Sequence, residues 1–260
     1  MRLVFFRHGD PDYAVDGLTA QGEIEAQLLA KQIKSFGIDE AFVSPLGRAA
    51  ATADYSLKEL GITGTTCDWL KEFPAMFDAS SASEATKKAY ATELKKHLDG
   101  SYDGRIVWDI LPSYYMDHPE LFGADTWRES DVVKASNMLE VYDNVISSFD
   151  SLLANHGYKR DGSIYRVDEG NDKVLAFFCH FGITSVLLSH LWGVSPFVPM
   201  QFLAMAPTSV TEAVTEERER GIAIFRTLRI GDTTHLTMGG EKPSFSARFC
   251  EKFENLDERH

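Results

Sequence analysis

The sequence predicts an α/β protein: a three-layer α/β/α arrangement with a mostly parallel central sheet. Three observations carry that expectation. Leu3-Val4-Phe5-Phe6 and Val174-Leu175-Ala176-Phe177-Phe178-Cys179 are apolar throughout, as strands covered on both faces must be. The first run leads into Arg7-His8-Gly9 and the second into His180-Phe181-Gly182. Helical periodicities separate these runs, which is the alternation that builds sheets flanked by helices. Open α/β sheets bind ligands beyond the carboxyl ends of their strands, so Arg7, His8 and His180 stand where a ligand would lie.

Bulk properties narrow the class. With 260 residues, 44% of them hydrophobic, the chain can bury a large core. No apolar run is long enough to span a bilayer, and the first residues lack the basic, apolar and small-residue order of a secretory signal, so a cytoplasmic protein is expected. Cys67, Cys179 and Cys250 are odd in number and widely spaced, which suggests neither a disulfide framework nor a zinc site. A formal net charge of -13 argues against nucleic acid and anionic membrane as partners. An anionic substrate would have to be drawn by a few cations gathered against that field.

Asp10 to Gly17 is rich in turn formers and reads as a loop. Thr19 is a suitable N-cap, and Ile24, Leu28, Leu29, Ile33 and Phe36 give one apolar helical stripe that stops at Gly37. Ala41-Phe42-Val43 reads as a second strand, running through Ser44-Pro45-Leu46-Gly47 into a helix with Arg48 in its first turn. Thr65 to Trp69 reads as a third strand, with Glu72 just beyond it. From Pro74 to Glu129 the alternation breaks: a helix is expected over Ser83 to Leu98, then an irregular aromatic stretch around Trp108, Tyr114, Tyr115 and Trp127. Such a long segment with its own content suits a cap inserted at 74–129 in one domain of 1–260. Asp131 to Ala154 reads as one amphipathic helix, and a small hairpin is expected around Tyr165. Two strands near 207–214 and 221–230 read as a hairpin at a sheet edge. Phe245, Phe249 and Phe253 fall four apart, a face that packs on the core or meets a second copy in a homodimer.

Arg7-His8-Gly9 after an N-terminal strand, Ser44-x-x-x-Arg48-x-x-x-Thr52-Ala53 after the second, Glu72 after the third and His180 at the end of a late strand resemble the motifs of the histidine phosphatase (phosphoglycerate mutase-like) superfamily in their order. The chain departs from the family pattern where Glu25 stands for a helix Gln, a difference expected to touch packing alone. It also departs where Cys179 and Phe181 flank the second histidine.

The residues themselves suit phosphate chemistry. Guanidiniums match phosphate oxygens bidentately and stay charged, and a helix N-terminus adds amide donors. A neutral imidazole held beside phosphorus can attack it. The resemblance implies that His8 is the nucleophile, that Arg7, Arg48 and His180 bind the phosphoryl oxygens, and that Glu72 protonates the leaving oxygen, with no metal or cofactor. The substrate is then a small phosphorylated compound, with Asp109, Tyr114, Tyr115 and Thr208 as candidates to read its body. A phosphoglycerate mutase-type phosphotransferase needs a second, more basic phosphate site than 74–129 offers. A non-catalytic phospho-ligand binder would be expected to lack His8 or Glu72. A nucleotide-binding enzyme is disfavoured, because neither Gly-x-Gly-x-x-Gly nor a Gly-Lys-Ser/Thr loop follows any strand.

Overall fold

A computed structural model describes residues 1–90, 94–244 and 254. They divide into two compact units. The first comprises Met1–Glu72, Leu153–Thr184 and the described residues from Leu203 onward; the second comprises Phe73–Leu152 and Ser185–Phe202.

The first unit holds an eight-stranded sheet. Its strands are β1 (Arg2–Arg7), β2 (Glu40–Val43), β3 (Gly64–Thr66), β4 (Tyr158–Asp161), β5 (Ile164–Val167), β6 (Val174–Cys179), β7 (Val210–Glu219) and β8 (Ile222–Asp232), in the order β3-β2-β6-β1-β7-β8-β5-β4. β3, β2, β6 and β1 are parallel, and from β7 outward the pairing is antiparallel. Helices flank this mixed sheet, which makes the fold the α/β class the sequence predicts. The β7–β8 hairpin, however, is not the edge expected of it. β7 pairs directly with β1, and the edge falls to β4. Val210, Thr211 and Ala213 are buried, so the first half of β7 is a core strand whose mixed composition hides its position.

β1 and β6 are in register, Phe5 opposite Phe177 and Phe6 opposite Phe178. The paired rings stack with centroids 5.0 and 4.9 Å apart. Offset aromatic stacks contribute roughly 0.5–1.5 kcal/mol each beyond their burial. One face of the sheet buries Val4, Phe6 and Phe178 with Leu29, Ile33 and Phe36.

Helix α1 (Ala20–Gln32) starts where Thr19 accepts the Gly22 amide at 3.0 Å, continues in a 3₁₀ turn, and ends at Gly37 with φ of 64°. Its buried face runs through Gly22, Glu25, Ala26, Leu29 and Ala30. Ile24 is exposed and Leu28 half-buried, so the face is rotated from the apolar stripe. Leu29 of that stripe, with Ile33 and Phe36 of the turn that follows, still packs in the core against the sheet. Helix α2 (Gly47–Leu60) follows β2, with Arg48 in its first turn.

In the second unit, the long helix expected from Asp131 begins as Asp131–Lys134, breaks, and restarts as α3 (Met138–Asn155). The break has a cause. Asp78 donates its amide to Ala135 O, and the Met76 amide reaches the Asn137 side chain at 2.7 Å. The backbone of 135–137 thus binds the 76–78 segment instead of continuing a helix. The helix expected over 83–98 is confined to Glu84–Lys87, capped by Ser83. Tyr90 then packs on Phe77, with ring centroids 4.5 Å apart, and donates to Val107 O. Residues 91–93 of that expected helix lie outside the described residues. So do Cys250, the Phe245 to Phe253 face and the last six residues, 255–260. Helix α4 (Phe181–Trp192) follows β6, and a short helix, Phe197–Phe202, buries Phe197 against Trp127. No described helix is long and apolar enough to cross a membrane.

Candidate active site

Strand register brings the two histidines together. Arg7 lies opposite Cys179 at the ends of β1 and β6, so the next residues, His8 and His180, emerge side by side with ring centroids 5.1 Å apart. β2 pairs Val43 with Phe178, and Ser44 follows with its Oγ 2.8 Å from His180 Nε2. Cys179 O, in turn, accepts the His8 amide. Phe181, one of the two residues that flank the second histidine, is the first residue of the helix after β6, and the Arg7 guanidinium lies over its ring at 5.9 Å.

Both imidazoles are kept neutral. His8 Nδ1 is 2.7 Å from Gly9 O, an acceptor that fixes the proton on Nδ1 and leaves the Nε2 lone pair bare. Burial and the Arg7 charge push its basicity well below the ordinary value, outweighing the Gly9 bond. His180 is lowered too, by burial first and then by His8, Arg48 and Arg7. Arg7 and Arg48 therefore project their charge onto both rings. Burial lowers Arg7 itself, against the opposite pull of Glu72. Arg7 also donates through Nη1 to Met205 O. Arg48 Nε and His180 Nδ1 are buried donor positions with no hydrogen-bond partner among the described residues.

Glu72 accepts the Gly182 amide at 2.8 Å and the Ile183 amide at 3.3 Å, so its carboxylate sits at the N-terminus of α4 beside His180. The sequence places Glu72 after a strand; the fold ties it to the second histidine's helix. Arg7, His8, Arg48, Glu72 and His180 thus share the carboxyl edge of the parallel strands.

The Asp10 to Gly17 segment is not a plain loop: Pro11–Asp12 pairs with Gly17–Leu18. Two close approaches shape it. A Cβ on Gly9 would lie 2.6 Å from Gly22 O, and one on Gly22 would lie 2.2 Å from Asp10 O. Asp10 is a structural carboxylate, accepting from Thr19 Oγ1 at 2.7 Å. Glu25, expected to matter for packing alone, is wholly buried and accepts the Asp10 amide at 2.9 Å. Burial pushes its carboxyl up, against the bonds from Ser244 and Asp10. Thr52 Oγ1 accepts the Gly9 amide while donating to Arg48 O. Asp16, which the sequence did not mark, holds Arg48 Nη1 at 2.6 Å.

Thr208 is fully buried, and its hydroxyl is already engaged, by Pro207 O at 2.8 Å and by His235 Nε2 at 2.9 Å. It does not present that hydroxyl to a substrate. Its amide instead donates to His8 O, while Ser209 O accepts the Arg7 amide. His235 had no sequence signal, because a lone histidine after a strand belongs to no pattern. Asp109, Tyr114 and Tyr115 belong to the second unit. Tyr114 is buried and stacked on His118 with centroids 3.7 Å apart, and burial pushes its phenol up to about 12. Tyr115 donates to Ile110 O, and Asp109 is exposed. Cys179, buried against Thr184, has its thiol pushed up to about 12, so the core reading of that residue fits.

Residues 3–114 match the family model of the histidine phosphatase superfamily, branch 1. No curated protein matches the sequence. Among solved structures, phosphoserine phosphatase from Entamoeba histolytica is 16% identical, with 90% of this chain and 98% of that one covered at a TM-score of 0.54. Mycobacterial glucosyl-3-phosphoglycerate phosphatase is likewise 16% identical, covering 88% and 97% at 0.52. A putative alpha-ribazole-5'-P phosphatase from Escherichia coli is 17% identical, covering 90% and 98% at 0.51. At these identities the likeness is one of fold.

Proposed function

We propose that this member of the histidine phosphatase superfamily is a phosphatase that hydrolyses a small phosphate monoester without a metal ion, through a phosphohistidine on His8. The observation that carries the reading is the His8 Nδ1 to Gly9 O contact, which leaves a neutral imidazole with Nε2 free to attack. In the proposed sequence, Nε2 forms a bond to phosphorus as the ester P–O bond breaks. Glu72 gives its proton to the departing oxygen. A water then attacks the phosphohistidine, Glu72 takes the water's proton, and inorganic phosphate leaves. Arg7 and Arg48 neutralise the charge that builds on the phosphoryl oxygens. If the Ser44 hydroxyl donates to His180 Nε2, the proton of neutral His180 resides on its buried Nδ1, a donor suited to a third oxygen.

Fold neighbours that include phosphoserine and glucosyl-3-phosphoglycerate phosphatases support a small phosphate ester as the substrate class by analogy. The test is hydrolysis of para-nitrophenyl phosphate in EDTA from about pH 5 to 8, with wild type, His8→Ala and Glu72→Gln. Turnover should persist in EDTA and vanish in His8→Ala, and acid quenching should trap a phosphorylated histidine. Glu72→Gln should lower kcat roughly 10²–10⁴-fold, the usual worth of a positioned proton donor. Turnover that survives His8→Ala would overturn the nucleophile assignment. Tight phosphate binding without turnover would favour a binding protein, and transfer between two phosphorylated compounds would favour a mutase.

A further inference from the structure

We propose that Asp16 is a positioning residue of the phosphate clamp: it holds Arg48 by one side of its guanidinium and thereby presents the other side to the substrate phosphate. The inference rests on the reading of Arg48 as a phosphate ligand given above. A guanidinium offers its donors along separate edges, and the Nε–Nη2 edge matches two oxygens of a phosphate. In Arg48 the Nη1 donor is engaged by Asp16 Oδ1 at 2.6 Å. Nε is buried and has no hydrogen-bond partner among the described residues. The charge it belongs to bears on both His8 and His180. One donor of the guanidinium is thus committed to the loop, and Nε is left over on a separate edge.

Asp16 is itself fixed at two points. Its second oxygen accepts the Gly47 amide at 2.7 Å, in the first turn of α2. Its backbone is seated on the same residue, since a Cβ on Gly47 would lie 2.1 Å from Asp16 O. Asp16 adopts φ of 48°, a left-handed conformation that aspartate tolerates better than most residues. Partial burial works against the charged form, but the Gly47 amide and Arg48 outweigh it and hold the carboxyl below its ordinary range. Tyr13 of the same loop adds its ring 5.4 Å from the Arg48 guanidinium carbon. One short loop between His8 and α1 therefore sets the orientation of a cation that belongs to α2.

The competing idea is that Asp16 occupies the phosphate's own place and must leave before substrate binds. The two make opposite predictions for Asp16→Asn, which keeps the shape and removes the charge. Affinity for inorganic phosphate by calorimetry, and kcat/KM for para-nitrophenyl phosphate, should be measured for wild type, Asp16→Asn, Arg48→Ala and the double variant, with Asp16→Ser as a second replacement and thermal unfolding to confirm folding. Positioning predicts a loss of between about ten- and a hundredfold in kcat/KM for Asp16→Asn, the scale of a misplaced catalytic group. It also predicts weaker phosphate binding, and no further loss when Asp16→Asn is added to Arg48→Ala. Tighter phosphate binding, an unchanged rate, or losses that multiply in the double variant would overturn it. A wild type that neither hydrolyses the ester nor binds phosphate would remove the functional reading itself. A wild type that binds phosphate without turnover leaves the affinity cycle to decide.

Discussion

His8 is held from behind by residues some two hundred positions away. Its carbonyl accepts the Thr208 amide, and Thr208 stands at φ of 54° with its hydroxyl between Pro207 O and His235 Nε2. A β-branched residue in that conformation is strained, and strain of this kind persists only where the surroundings over-determine it. The His235 bond is one such constraint, reaching in from the short helix Thr234–Met238. Thr208→Val keeps the shape and leaves His235 buried without its partner. The expected cost is about 1–3 kcal/mol, readable as a shift in the urea midpoint. The turn that binds the His8 carbonyl and the Arg7 amide should loosen with it, so kcat for ester hydrolysis should fall more than KM rises. A loss of stability with kcat unchanged would mean that the turn does not position His8.

At the scale of elements, the site depends on how closely α1 approaches the loop after His8. Gly22→Ala puts a methyl group 2.2 Å from Asp10 O and 2.8 Å from Asp10 N, against backbone that cannot swing aside. Overpacking of this kind costs typically about 1–3 kcal/mol. Here it would also push Asp10 away from Glu25, so Gly22→Ala should lose both thermal stability and turnover, measured together by melting and hydrolysis. What the sequence showed of these elements follows from their chemistry. β1 and β6 were legible because a strand buried on both faces has no polar residue to disguise it. Thr19 and Arg48 were legible because caps and first turns carry local signals. The bonding of Glu25 was not, since a packing position on a helix gives no sign of the Asp10 and Ser244 amides that it accepts. The break between Asp131–Lys134 and α3 was invisible for the same reason: its cause is pairing with 76–78, some sixty residues away, and periodicity carries no trace of it. Asp16 and His235 act only through partners that the fold supplies.

For the whole molecule, gathering cations and neutral imidazoles at one edge of an acidic protein has a consequence for stability. His8, His180 and His235 are all held below the ordinary histidine value in the folded state, His235 at about 4, each chiefly by burial. In the unfolded chain each titrates near its ordinary value of about 6.5. Above that pH neither state binds the protons, and the three groups leave stability unaffected by pH. As pH falls below it, the unfolded chain takes up protons that the folded one refuses. Stability then falls by up to about 1.4 kcal/mol per pH unit for each histidine. The loss for His235 levels off near its folded value of about 4; for His8 and His180 it continues toward their own lowered values. Together the three predict a slope approaching roughly 4 kcal/mol per pH unit below about pH 6. Urea unfolding at pH values from about 8 to 5 measures it directly, and the midpoint should be nearly flat in the upper half of that range and steep in the lower. His235→Asn, which removes one of the three groups, should reduce the slope by about a third, after allowance for its lower stability at pH 8. A slope unchanged by that substitution would show that His235 does not remain neutral in the folded protein over this range.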